Sequence, residues 1–187
     1  MRRSREETRR RILDAAYGLF WRKGFLRVSM DDIAARAGIT KRALYQHFRS
    51  KDDLMEAALA QSSDLAMQRL GQFRRPANAA ELIDTFFADL AEWAAKPGWS
   101  GGGFSRAVIE LADMRGHPAR AIARKHKTAV ERWLADSLAA AGVVSAGVRA
   151  REIMLLMEGA MVLMLIHGSR DFAGAAAKAA KALVRRV

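Results

Sequence analysis

The 187-residue chain contains no cysteine, and this absence removes several kinds of chemistry at once. There can be no thiolate nucleophile, no zinc–thiolate site and no disulfide. HExxH does not occur, and the PGWSGGG stretch at residues 97–103 lacks the GK[ST] ending of a phosphate-binding loop. We therefore expect no catalytic residue and no cofactor, and a protein that is not an enzyme.

Long apolar runs and prolines are also scarce. The most apolar stretch, Ile153 to Ile166, is interrupted by Glu158 and is too short to span a bilayer. The basic N-terminus leads into an amphipathic helical pattern and not into the apolar region of a secretion signal. Three prolines and 51% hydrophobic residues suit a packed helical protein. We expect a soluble cytoplasmic protein with no membrane partner.

Positive charge is concentrated near the N-terminus. Residues 1–55 hold 14 Lys or Arg against 7 Asp or Glu, in a chain whose net charge is +12. Such a segment favours a polyanion, because cations that neutralise phosphates release counterions from nucleic acid. Charge alone would equally suit an anionic membrane surface.

Residues 29–51, SMDDIAARAGITKRALYQHFRSK, have the pattern of two short helices around a tight turn. Ser29 can cap the first helix, and Gly38 can end it in a left-handed conformation. Thr40 can then cap the second helix. An ordinary helical hairpin would share this pattern, but the spacing, the turn and the basic surroundings favour a helix-turn-helix that binds DNA.

The second of these helices has two different faces. Leu44 and Phe48, at i and i+4, share the inner face. The outer face carries the cationic, amide and aromatic groups that suit base edges and phosphates, with Lys41, Arg42 and Gln46 as base readers. The predicted DNA-binding residues are Ser29, Thr40, Lys41, Arg42, Ala43, Tyr45, Gln46, His47 and Lys51.

Three consecutive segments resemble the N-terminal DNA-binding domain of the TetR family of bacterial transcriptional regulators. They are RRRILDAAYGLFWRKGF, VSMDDIAARAGITKRALYQHF and RSKDDLMEAAL. The resemblance implies an all-α fold of about nine helices, with a three-helix DNA-binding domain at residues 1–50. A helical ligand-binding and dimerisation domain would follow at residues 51–187. Arg42 departs from the small residue or proline that is common there, so base preference does not carry over.

The same resemblance implies a homodimeric repressor that a small molecule releases from a palindromic double-stranded DNA operator.

Apolar periodicity predicts helices at residues 5–23, 51–73, 79–95, 104–114, 118–141, 149–167 and 171–186. The helix at 149–167 is apolar nearly all round, so we expect dimerisation through residues 149–186. A fully buried helix within a monomer is the alternative.

The ligand site is less sharply indicated. The candidates form an aromatic and thioether set with one carboxylate, which suits a mostly apolar or aromatic effector. They are Trp93, Trp99, Phe104, Met114, Met157, Glu158, Met161 and His167. For each residue taken singly, ordinary core packing is the favoured interpretation, and Glu158 could instead pair with a cation of its own or a second subunit.

Other functions fit less well. Glu110, Asp113 and His117 have a metal-like spacing, but Gly116 and Pro118 break the helix there, and we predict no metal site. A nonspecific architectural DNA-binding protein is the main alternative. That class needs charge and groove insertion but not a second domain with a pocket, and a salt-resistant preference for one palindrome would count against it. A small helical enzyme is the weakest.

Overall fold

The computed structural model describes residues 4–72 and 76–185, and these residues form nine α-helices and no strand. The prediction of an all-α fold of about nine helices is therefore confirmed. None of the helices in the described ranges is long and apolar enough to cross a bilayer. The helices are α1 Arg5–Lys23, α2 Met30–Ala37, α3 Lys41–Tyr45, α4 Lys51–Gly71, α5 Ala79–Ala94, α6 Gly103–Glu110, α7 Pro118–Ala140, α8 Ala146–His167 and α9 Asp171–Val184.

Two predicted helix boundaries were wrong by several residues. Helix α6 ends at Glu110 and not at residue 114, because the chain continues in tight turns in which the Met114 N–H donates to the Leu111 carbonyl at 3.1 Å. Helix α8 begins three residues before the predicted start, after Ser145 in a left-handed conformation. The predicted ends at residues 73 and 186 lie outside the described residues.

The chain divides into two compact units. The first contains residues up to Ala66 together with Gly103–His126, and the second contains Met67–Gly102 and the residues from Lys127 onward. This division differs from the expected 1–50 and 51–187. It arises because α6 and the start of α7 bury apolar side chains in the core of the N-terminal helices.

The core of the first unit is built around α1. Its largest fully buried side chains include Phe20, Phe25 and Phe48, so the helix-turn-helix packs on α1. At the start of α6, a Cβ added to Gly103 would lie 1.8 Å from the Trp21 ring. Only glycine lets the α6 backbone approach the indole this closely.

The second unit is formed by α5, α8, α9 and parts of α4 and α7. Its core contains aromatic residues of α5, methionines of α8 and small residues of α9. The four buried alanines of α9 permit a close helix approach. They are Ala173, Ala176, Ala177 and Ala180.

Candidate nucleic-acid interface

Local hydrogen bonds fix the helix-turn-helix. The Ser29 hydroxyl accepts from the Asp32 N–H at 3.1 Å, and the Asp32 carboxylate accepts from the Ser29 N–H at 2.9 Å. Gly38 ends α2 with a φ of 63°, in the left-handed region that favours glycine. The Thr40 hydroxyl then caps α3 by accepting from the Ala43 N–H at 3.1 Å. These predicted caps and the predicted turn are confirmed.

Arg11 of α1 forms a hydrogen bond with the end of α2, next to the turn between α2 and α3. Its guanidinium donates to the carbonyl of Ala37, the last residue of α2. A Cβ added to Gly38 would lie 3.2 Å from the same guanidinium. Arg11 is therefore a positioning residue for the turn, and the sequence pattern did not indicate it, because its partner lies 26 residues away.

One side of α3 and the residue after it form an exposed set that we call the reading face: Arg42, Tyr45 and Gln46. Within the described ranges, none of the three side chains makes a hydrogen bond or an ion pair. Ala43 lies between them and is half-buried, while Leu44 on the opposite side is fully buried. The reading face thus offers a guanidinium, a phenol and an amide to an external partner.

Lys41 differs from the other predicted base readers because it already has a partner. Its ammonium lies 2.9 Å from the carboxylate of Asp31 in α2. The hydrogen bond to Asp31 raises the pKa of Lys41. Both side chains are more than half exposed, so water screens the pair and the lysine can exchange partners.

Ser29 and Thr40, two of the predicted DNA-binding residues, differ in whether their hydroxyl hydrogen already has an acceptor. The Ser29 hydroxyl donates to the Asp32 carboxylate at 2.6 Å, and this hydrogen bond lowers the pKa of Asp32. The Thr40 hydroxyl hydrogen has no acceptor in the part of the chain that the structure describes. Thr40 is therefore the better placed of the two to donate to a phosphate.

Lys51, at the start of α4, reaches back to the loop between α1 and α2. Its ammonium donates to the Leu26 carbonyl at 2.8 Å, and burial lowers its pKa. Ser50 and Asp53 cap the same helix, since the Ser50 hydroxyl accepts from the Asp53 N–H at 3.0 Å. The Leu26 carbonyl takes one of the three N–H donors of the ammonium, so Lys51 can contact a phosphate while it holds this loop.

An ion pair on α6 contacts both the end of α1 and the loop that follows it. Arg106 donates to the Trp21 carbonyl at 2.9 Å and to the Glu110 carboxylate at 2.7 Å. Glu110 in turn accepts from the Leu26 N–H at 3.0 Å. We call Arg106 and Glu110 the α6 clamp. Their i, i+4 spacing was visible in the sequence, but it suits a surface ion pair equally well.

Glu110, Asp113 and His117 do not converge. Glu110 belongs to the α6 clamp, whereas His117 is buried with its Nε2 atom 3.3 Å from the Asp52 carboxylate. The described residues contain no group of three acidic, histidine or cysteine side chains that could hold a metal ion.

The predicted ligand residues fall in both units. Phe104 is buried in the first unit with its ring stacked 3.8 Å from His126, and Met114 is exposed in the turns after α6. In the second unit, the Trp93 and Trp99 rings meet edge to face with centroids 5.8 Å apart. The His167 ring stacks on Phe172 at 5.1 Å.

The α8 candidates lie within the second unit. Met157 and Met161 are buried in its core. Glu158 forms an ion pair with Lys127 of α7, which is the cationic partner anticipated for a carboxylate in an apolar helix. The indole N–H of Trp99 is buried and has no acceptor among the described residues.

The second unit also has a cleft of about 300 Å³ between the end of α4, the start of α5 and the C-terminal half of α7. Trp133, Asp136 and Ser137 supply its aromatic and polar lining. None of the eight predicted ligand residues lines it, so their assignment stays a prediction.

The exposed face of α8 is strongly apolar. Leu155 is 71% exposed and Ile166 is 66% exposed, although both lie in a helix whose opposite side is core. Val148, Leu155, Val162 and Ile166 are separated by seven, seven and four positions, which places them on one face of the helix. We call these four residues the α8 stripe.

Known proteins match this chain at two levels. Residues 12–58 match the family model for bacterial regulatory proteins of the tetR family. The transcriptional regulator SrpR of Pseudomonas putida is 46% identical over 55 residues, which are 29% of this chain and 26% of SrpR. The chain therefore matches only about a quarter of that relative's length.

Solved structures match over nearly the whole chain. A putative tetR transcriptional regulator from Streptomyces avermitilis has a TM-score of 0.77 and 26% identity, covering 93% of this chain and 98% of the other. The multidrug binding protein EbrR, complexed with proflavin, has a TM-score of 0.66 and 24% identity, covering 95% and 99%.

Proposed function

This chain is a member of the tetR family of bacterial regulatory proteins, and we propose that it represses transcription as a homodimer bound to a palindromic operator. A small, mostly apolar or aromatic molecule would release it from the DNA. It would act in the cytoplasm, where its DNA target lies.

The reading face carries the proposal. Arg42, Tyr45 and Gln46 are exposed on α3 and the residue after it. The Thr40 cap and the hydrogen bond from Arg11 to the Ala37 carbonyl hold the start of α3 and the turn before it. A guanidinium can bind guanine through two hydrogen bonds, and an amide can do the same with adenine. We assign Arg42 and Gln46 to base edges, together with Lys41 once it has left Asp31.

Contacts with the DNA backbone would orient these base readers. We assign Thr40, Tyr45 and His47 to phosphates, with Ser29 and Lys51 as further contacts. Ala43 is small enough to let the helix approach the floor of the major groove closely.

The α8 stripe supports a second copy of this chain as the partner. Exposing an apolar face of this kind to water costs free energy, and that cost is removed when a matching apolar face covers it. In a two-fold dimer, the α8 stripe of one subunit would pack against the α8 stripe of the other. Such a dimer would also present two recognition helices about one DNA turn apart, roughly 34 Å, as a palindrome requires.

The second unit would hold the effector. Trp93, Trp99, Met157, Met161 and His167 supply apolar and aromatic surface, and the buried Trp99 N–H suits an effector with a hydrogen-bond acceptor. Phe104 and Met114 would contribute only indirectly, since they belong to the first unit. The proflavin complex of EbrR is consistent with an aromatic ligand.

Release would follow from a population shift. The effector needs only to bind more tightly to the dimer whose recognition helices do not match successive major grooves. Helices α4 and α7 each run from one unit into the other and are the covalent routes for this change. Glu158, paired with Lys127, would respond to an effector that competes for its cation.

Selection of duplexes from a random-sequence DNA library tests the proposal. The purified full chain should enrich a palindrome whose half-site centres lie about one helical turn apart. Enrichment of no sequence, with tight binding to every duplex, would instead indicate an architectural DNA-binding protein. Mass spectrometry of small molecules retained by the protein would identify an effector, which should weaken binding to the enriched palindrome.

A further inference from the structure

A second basic surface lies on α1, beside the segment that follows α3. Arg5 and Arg9 are exposed and stand one helical turn apart, at i and i+4. The Arg9 guanidinium lies 5.0 Å from the centroid of the Phe48 ring, a cation–π contact with the segment that follows α3. Arg9 is thereby held against the helix-turn-helix.

The charges on this surface are not neutralised. Burial lowers the pKa of His47, and the positive charges of Arg5 and Arg9 lower it further. Within residues 4–72 and 76–185, neither arginine makes an ion pair with a carboxylate. Glu7, on the same turn, is committed to the capping box with Ser4. The surface therefore keeps an unbalanced positive potential.

Two observations favour DNA phosphates as the ligand. The surface is continuous with the helix-turn-helix, because Arg9 packs on Phe48 and both arginines act electrostatically on His47. Guanidinium groups bind phosphate oxygens through two parallel hydrogen bonds, and an arginine fixed by an aromatic ring loses less entropy when it does so.

We propose that Arg5 and Arg9 form a phosphate-binding site that extends the DNA interface from the recognition helix onto α1. The inference rests on the proposed DNA-binding function and adds two contacts to it. Because phosphates carry no base identity, this site strengthens binding to every sequence and fixes the orientation of the recognition helix.

The salt dependence of duplex binding tests the site. Arg5→Gln and Arg9→Gln should each reduce the slope of log K against log salt by about 0.9, and the double variant by about twice that amount. Affinity near physiological salt should fall about fivefold for each contact. The loss should be equal for a random-sequence duplex and for the palindrome that the wild type selects.

Arg10→Gln is the matched control. Arg10 is exposed on the same helix, but it is turned about 100° from Arg9 and is not among the charges that act on His47. The substitution removes the same charge from the chain and should leave the slope close to the wild-type value. Arg9→Lys keeps the charge and should keep most of the slope.

The possible results distinguish a failure of the α1 phosphate site from a failure of the proposed DNA-binding function. If the wild type binds duplex DNA and the slopes of the Arg5→Gln and Arg9→Gln variants equal that of the Arg10→Gln variant, the α1 site is wrong and the proposed function stands. If the wild type binds no duplex, both fail. If the two substitutions weaken binding only to vesicles that contain phosphatidylserine, the surface belongs to a membrane contact and the inference is overturned.

A second readout does not need a known operator. The pKa of His47, followed by NMR in the free protein, should rise in the Arg9→Gln variant and stay constant in the Arg10→Gln variant. Unchanged circular dichroism in all variants would show that they fold. An unchanged His47 pKa in the Arg9→Gln variant would contradict the placement of Arg9.

Discussion

The ammonium of Lys41 lies 2.9 Å from the carboxylate of Asp31, so α2 holds a cation that stands at the first turn of the recognition helix. A phosphate that binds Lys41 would compete with Asp31 for its positive charge. In the proposed complex, Asp31 would weaken DNA binding in two ways: it engages Lys41, and it would bring a negative charge close to the phosphates.

Asp31→Asn should strengthen binding to all duplexes. The substitution frees Lys41 and removes one repulsive charge, so affinity should rise about fivefold near physiological salt and the salt slope should steepen by about one. Fluorescence anisotropy with a random-sequence duplex measures both. Asp64→Asn, an exposed acid on α4, is the control for net charge. Equal gains in the two variants would argue against a specific restraint on Lys41.

Gly24→Ala should loosen the α6 clamp. Gly24 has a φ of 96°, and an added Cβ would lie 2.8 Å from Arg106 Nη2 and from Glu110 Oε1. Both the backbone strain and the contacts predict a loss of more than about 1 kcal/mol of unfolding free energy. Gly116→Ala, where a Cβ would meet nothing within 4 Å, should be neutral. Urea denaturation compares the two variants directly, and equal midpoints would contradict the clamp.

Leu155→Glu should separate the proposed dimer. A carboxylate at the centre of the α8 stripe would face its own copy across the two-fold axis, and the dissociation constant should rise about tenfold or more. Leu65→Glu is the control, since Leu65 is 48% exposed but lies in the first unit. Sedimentation velocity gives the oligomeric state. A wild-type monomer, or a dimer that Leu155→Glu leaves intact, would rule out the stripe as the interface.

DNA binding should strengthen as the pH falls toward and below 6.5. Burial, Arg5 and Arg9 lower the pKa of His47 in the free protein from its ordinary value of 6.5, whereas a bound phosphate would raise it. Binding then takes up a proton between the two pKa values, so the affinity increases with acidity. His47→Gln should flatten this dependence. The pH profile of duplex affinity for both proteins is the measurement.

The lowered pKa of His47 makes the stability of the fold depend on pH in the opposite direction from DNA binding. Because the folded pKa of His47 lies below the unfolded one, the unfolded chain binds more protons. The contribution of His47 to stability is therefore present above pH 6.5 and is lost as the pH falls through the folded pKa. Acid should thus weaken the fold slightly while it favours the complex with DNA.

The local parts of the helix-turn-helix could be predicted from the sequence because their causes are local. Ser29 and Asp32 are three residues apart, and Gly38 is needed where the chain turns. The α6 clamp could not be predicted, because Glu110 meets Leu26 across 84 residues. Neither could the pairing of Lys41 with Asp31, since both residues also suit a solvated helix surface.

The aromatic and thioether pattern of the ligand residues was equally ambiguous. A buried Phe104 and a pocket-lining Phe104 have the same sequence signal, and the structure buries this ring in the core of the first unit. Glu158 was informative because a carboxylate in an apolar helix needs a partner, yet the sequence could not identify Lys127, 31 residues away, as that partner.

The division of roles between Arg42 and Lys51 is tested by comparing the sequences that the wild type, Arg42→Ala and Lys51→Ala select from one random DNA library. Arg42→Ala should lose preference at one base pair in each half-site, worth about 1–3 kcal/mol, and keep the remainder of the palindrome. Lys51→Ala should select the wild-type palindrome with weaker binding throughout and a salt slope smaller by about one. If both variants lose affinity equally for the palindrome and for random DNA, the division between base reading and phosphate binding is contradicted.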